Sequence, residues 1–124
     1  MKQQNVIYFT DKEEEFVNLL IEIGTRKNVA KILVFLANTP KASARVIERG
    51  VDMRQPEVSV AMTFLTDLGW IKNRENSSES KGRPMKIYEL AKPMNEIIEI
   101  IENDKKTEAK KQLALVQKLR AYIT

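Results

Sequence analysis

Apolar residues recur at helical spacing over most of this chain, give way to strand-like runs once, and then return to helical spacing. Phe16, Leu19, Leu20 and Ile23 stand at i, i+3, i+4 and i+7 and predict an amphipathic helix buried along that stripe. Thr10 and Glu13 ahead of it have capping-box spacing, and Asp11, Glu13, Glu14 and Glu15 complement the positive end of the helix dipole. Gly24 is a natural stop. A second helix is predicted from about Arg26 to Asn38. Val29, Ile32, Leu33, Val34, Phe35, Leu36 and Ala37 make it apolar on nearly every side, as in a helix buried on most faces, and Pro40 fits just past its end. Residues 43–50 predict a short third helix, with Ser43 as N-cap, Val46 and Ile47 facing inward and Gly50 as the C-terminal break. After a tight connection from Val51 to Arg54, a fourth helix opens with Pro56 in its first turn. Val58, Ala61, Met62, Leu65 and Leu68 share one face of it, and Gly69 ends it. Residues 1–9 fit no element, although the apolar Val6 to Phe9 suits an arm packed on the core or on a partner chain.

The period then changes. Trp70 to Arg74 and Met85 to Leu90 are rich in aromatic and β-branched residues and predict two strands. The polar segment NSSESKGRP between them, with Gly82 and Pro84, makes the pair a hairpin. From Met94 to Ile123 helical spacing returns with no Pro or Gly, in a helix roughly 45 Å long if continuous. Met94, Ile97, Ile98 and Ile101 form one apolar patch, and Leu113, Leu115, Val116, Leu119 and Ile123 another. The segment between is polar but for Ala109, so periodicity leaves open a break near Asp104.

Composition narrows the chemistry. The 124 residues hold no Cys and no His, which removes most ligands for zinc, copper and iron–sulfur sites, the thiol nucleophile, and the side chain most often used for proton transfer near neutral pH. No nucleotide-binding loop and no nucleophile–base pair is evident. The expectation is therefore binding rather than catalysis, with no metal and no cofactor. Without disulfides, a signal-peptide-like start or a membrane-length apolar run, the expected location is the cytoplasm, with no membrane partner. The formal charge of +4 is unevenly spread. Residues 41–92 carry ten basic and seven acidic groups, whereas residues 1–40 carry five of each.

The order helix, helix, short helix, turn, helix, hairpin brings these observations together. The helices on either side of residues 51–54 have the length and turn of a helix-turn-helix, a unit that places its second helix in the DNA major groove. Residues 54–71, RQPEVSVAMTFLTDLGWI, resemble the recognition-helix segment of ArsR-like and MarR-like winged-helix regulators. Residues 81–90, KGRPMKIYEL, resemble the wing of TrmB-like and MarR-like regulators of archaea and bacteria. The likeness covers about residues 25–92. It implies a mostly helical α+β fold: a winged helix-turn-helix DNA-binding domain at 10–92 and a C-terminal dimerisation helix at 93–124. The metal sensors among ArsR-like proteins use Cys or His clusters, so sensing by that route is excluded.

In that frame Arg54, Gln55, Ser59 and Thr63 lie roughly opposite the apolar stripe of the fourth helix and are candidates to meet base edges, together with Pro56 and Val60 beside them. Val60 suits a thymine methyl and Glu57 the amino group of cytosine. Arg83 of the wing suits a narrow minor groove. Lys41, Arg45, Lys72, Arg74, Lys81 and Lys86 suit phosphates. Each also reads as an ordinary solvated surface residue. Met94, Ile97, Ile98, Ile101, Leu115, Val116, Leu119 and Ile123 are the candidate dimer contacts. The expected partners are double-stranded DNA and a second copy of the chain; no effector is legible. The alternative is a winged-helix protein–protein interaction module without specific DNA binding.

Overall fold

The computed structural model of the chain describes residues 9–76 and 85–124. The chain divides into two compact units between Lys92 and Pro93. The first contains α1 (Asp11–Glu22), α2 (Lys27–Asn38), β1 (Ala42–Ser43), α3 (Ala44–Val51), α4 (Gln55–Leu68), β2 (Ile71–Asn76) and β3 (Met85–Leu90). The second is α5 (Met94–Ala121).

Helix α1 begins with the predicted capping box: the Thr10 hydroxyl accepts from the Glu13 N–H at 3.1 Å, and the Thr10 N–H donates to the Glu13 carboxylate at 2.8 Å. Its buried residues are Val17 and Leu20. Leu19 and Ile23 of the predicted stripe are exposed and Phe16 is half-buried, because α1 packs along one narrow edge and covers only the residues turned to it. Helix α2 is the centre of the core. It buries Val29, Ala30, Ile32, Leu33, Val34 and Leu36, on nearly every side.

Two expectations about α3 are corrected. Ile47 is buried but Val46 is exposed, since neighbours in a helix point about 100° apart and only one of them meets the core. Gly50 is not the break. It lies inside the helix, where a β-carbon would collide with the ring of Phe35, so its role is to let α3 approach α2. The chain turns instead at Asp52, in the left-handed region at φ 55°, a conformation Asp tolerates better than most residues. Helix α4 buries Val58, Ala61, Met62 and Leu65, whereas Leu68, also expected inside, is exposed at the helix end. Gly69 closes α4 at φ 78°; open space surrounds it, so conformation rather than room selects glycine there.

The sheet is antiparallel with order β1-β3-β2. β1 was not predicted, because two residues are too few to show alternation. The hairpin is tied back to the helices where the Ala91 N–H donates to the Trp70 carbonyl at 2.8 Å and the Trp70 N–H to the Leu65 carbonyl at 3.1 Å. Helices α2 to α4 with this hairpin make a winged helix-turn-helix, a mostly helical α+β fold.

Helix α5 runs unbroken for 28 residues, roughly 42 Å, which settles the question at Asp104. Its polar waist holds helical form through good helix formers and the i,i+4 and i,i+3 pairs Glu102–Lys106 and Lys105–Glu108, at 3.3 and 3.4 Å.

Candidate nucleic-acid interface

Helix α4 places the candidate base-reading residues. Arg54 is its N-cap and Pro56 stands in its first turn, where a missing N–H costs nothing. The Glu57 carboxylate accepts from the Arg54 N–H at 3.0 Å. Glu57 therefore caps its own helix, a role absent from the cytosine expectation. With Val58, Ala61, Met62 and Leu65 turned into the core, the opposite side exposes Gln55, Pro56, Ser59, Val60 and Thr63.

Two hollows flank that side. The first, about 340 Å³, is walled by Gln55, Ser59, Thr63 and Asp67 of α4, Glu48 of α3, and Asn73, Lys86 and Tyr88 of the hairpin. It brings together three predicted base-reading residues and one predicted phosphate contact. Glu48 and Asp67 in its wall disfavour phosphate but suit base amino groups, which donate to carboxylates. The second hollow, about 510 Å³, lies on the other flank of α4. Pro56, Val60 and Phe64 line one side, and Arg26, Lys27 and Val29 at the start of α2 line the other.

Arg26 and Lys27 were missed by sequence reasoning, although a signal was present. Helix starts favour acids, yet α2 has no acidic residue in its first turn and its N-cap, Arg26, makes no side-chain cap bond. Arg26 instead stacks its guanidinium over Phe64, 5.0 Å from the ring centroid.

The remaining basic candidates are spread more widely. Lys41 precedes β1 and Arg45 sits in the first turn of α3; both are exposed, as is Arg54, and none lines either hollow. The register pairs Asn73 with Tyr88, Lys72 with Glu89 and Arg74 with Ile87. Side chains alternate across a strand, so Lys86 shares the Asn73–Tyr88 face while Lys72 and Arg74 occupy the other. Lys81 and Arg83 lie outside the described residues.

On α5, Ile98, Leu115, Val116, Leu119 and Ile123 are exposed, and Met94 and Ile101 are half-buried. Ile97, a further candidate dimer contact, is buried. Among the described residues no group of three or more acidic side chains is placed to hold a metal ion, and no helix is long and apolar enough to cross a membrane.

No protein-family model matches the sequence, and no curated protein matches it. Solved structures do. A possible transcriptional regulator from Methanosarcina mazei Go1 is similar at TM-score 0.65, with 16% identity over 90% of this chain and 89% of that one. A MarR family regulator from Neisseria meningitidis is similar at TM-score 0.51, with 18% identity over 87% of this chain and 80% of its own. A transcriptional regulator homologue from Pyrococcus horikoshii OT3 is similar at TM-score 0.51, with 16% identity over 82% of this chain and 97% of its own. The resemblance to MarR-like winged-helix regulators thus holds at the level of fold.

Proposed function

We propose that the protein is a sequence-specific, double-stranded DNA-binding transcriptional regulator, not an enzyme, that acts in the cytoplasm as a homodimer. The observation that carries this is the first hollow, where Gln55, Ser59 and Thr63 of α4 stand beside Lys86 of the hairpin. In this mechanism α4 enters the major groove. Gln55, Ser59 and Thr63 meet base edges. Lys41, Arg45, Arg54 and Lys86 hold phosphates on either side, with Lys72 and Arg74 across the hairpin. Glu57 fixes the helix start through one carboxylate oxygen and offers the other to a cytosine amino group. The wing, with Lys81 and Arg83, follows into the adjacent minor groove.

Dimerisation is supported by the exposed apolar residues Ile98, Leu113, Leu115, Val116, Leu119 and Ile123 of the C-terminal segment. Ile98, Ile101, Leu115 and Leu119 repeat in one heptad frame, a seam suited to a second helix, and Lys105, Glu108 and Gln112 interrupt it at the waist. Pairing there sets two α4 helices into successive major grooves, about 34–36 Å apart.

Selection from a random duplex pool, followed by titration, tests the proposal. A dimer neutralising roughly 6–10 phosphates loses about 10³–10⁵ in affinity between 50 and 200 mM salt. Gln55→Ala relaxes preference at particular base pairs by about 1–3 kcal/mol, while Lys86→Ala weakens all sequences alike. Absence of duplex binding at low salt rules the function out and leaves a protein-interaction module.

A further inference from the structure

We infer that α4 selects its DNA partly by thymine methyl groups, through an apolar strip that Arg26 and Lys27 flank with positive charge. The inference deepens the DNA-binding function proposed above and rests on it. Pro56, Val60 and Phe64 follow one another at steps of four along the exposed side of α4, so they form one continuous ridge. Val60 is 67% exposed and Phe64 36%, although α4 has a fully used buried face of its own. Such a ridge on a solvent-facing helix side loses hydration free energy unless something apolar covers it. The major groove offers one apolar group on a base edge, the C5 methyl of thymine.

The charges beside the ridge suit nucleic acid. Arg26 and Lys27 form the facing wall of the second hollow, and the Arg26 guanidinium is anchored over Phe64. The acid in that hollow, Glu57, accepts from the Arg54 N–H, which draws its charge toward its own helix start. An apolar ridge bordered by cations matches a strand whose methyl groups lie beside a row of phosphates. It does not match an apolar protein surface, which would have to desolvate the same two cations without pairing them. Gln55, one turn before Ser59, favours adenine as a bidentate partner. The half-site is accordingly rich in A·T pairs, with thymine methyls against Val60.

The test uses the full-length protein and the duplex that selection yields. Each thymine is replaced in turn by uracil, which keeps every hydrogen-bonding group and removes only the methyl. Burying one methyl contributes about 0.8 kcal/mol, a factor of about four in Kd. We expect uracil to weaken binding about fourfold at one or two positions per half-site and to have no effect elsewhere. In Val60→Ser, an exposed position where folding is not at stake, the same uracil duplexes bind as well as their thymine counterparts. Arg26→Ala weakens thymine and uracil duplexes equally. If the selected duplex binds but no uracil matters, or if the uracil penalty survives in Val60→Ser, methyl readout is overturned while DNA binding stands. If no duplex is selected, both fall.

Discussion

Helices α2 and α5 are both rich in apolar residues and use them in opposite ways. Six of the twelve residues of α2 are buried within one chain, whereas α5 buries one, Ile97, of twenty-eight. Helix α2 exists because packing covers it; its propensity is ordinary, with several β-branched residues that lower it. Helix α5 draws on length, helix formers such as Ala, Glu, Lys and Gln, and exposed ion pairs worth a few tenths of a kcal/mol each. Its exposed Leu residues add helix propensity but no burial. Burial in the first helix reports folding, and exposure in the second is what the proposed dimer would cover.

Three experiments bear on this contrast, from the largest expected effect to the smallest. Removing residues 113–124 deletes Leu113, Leu115, Val116, Leu119 and Ile123, all exposed, and is expected to produce monomers with an intact first unit. Duplex affinity then drops by about 10²–10⁴, the range by which linked half-site contacts exceed a single one. Light scattering and duplex titration check both points; a monomeric full-length protein at micromolar concentration overturns the paired-groove mechanism. Next, Leu33→Ala in α2 is expected to cost about 2–5 kcal/mol in urea unfolding, through lost burial and the cavity left behind. Leu119→Ala, measured on dilute monomer, is expected to stay within about 0.5 kcal/mol of the parent. Similar losses for the two would mean that α5 is covered within its own chain after all. Of the two destabilising substitutions the smaller effect belongs to Gly50→Ala, which presses a methyl group against Phe35 and is expected to destabilise the first unit by about 1–3 kcal/mol, with no change in oligomeric state.

Much of the candidate interface was legible in advance. The exposed side of α4 follows from its apolar stripe, because residues 58, 61, 62 and 65 assign the opposite residues to solvent. Other parts were out of reach. Arg26 and Phe64 lie 38 positions apart, and nothing local says that they stack. Lys72, Arg74 and Lys86 read alike as basic strand residues, and only the register separates them onto two faces.

What the sequence by itself determined was the order of the helices and the hairpin, the cap at Thr10, the change of period at Trp70 and the buried character of α2. Each of these depends on side chains within a few positions of one another along the backbone. The tertiary structure decided which of two adjacent apolar residues turns inward, as with Val46 and Ile47 or Leu19 and Leu20. It also decided that Gly50 serves packing rather than chain reversal, and that the apolar ridge along α4 is bordered by cations of α2. Helical periodicity marks a stripe wider than any one neighbour covers, and the angle at which the neighbouring element crosses it selects the residues that lose their water.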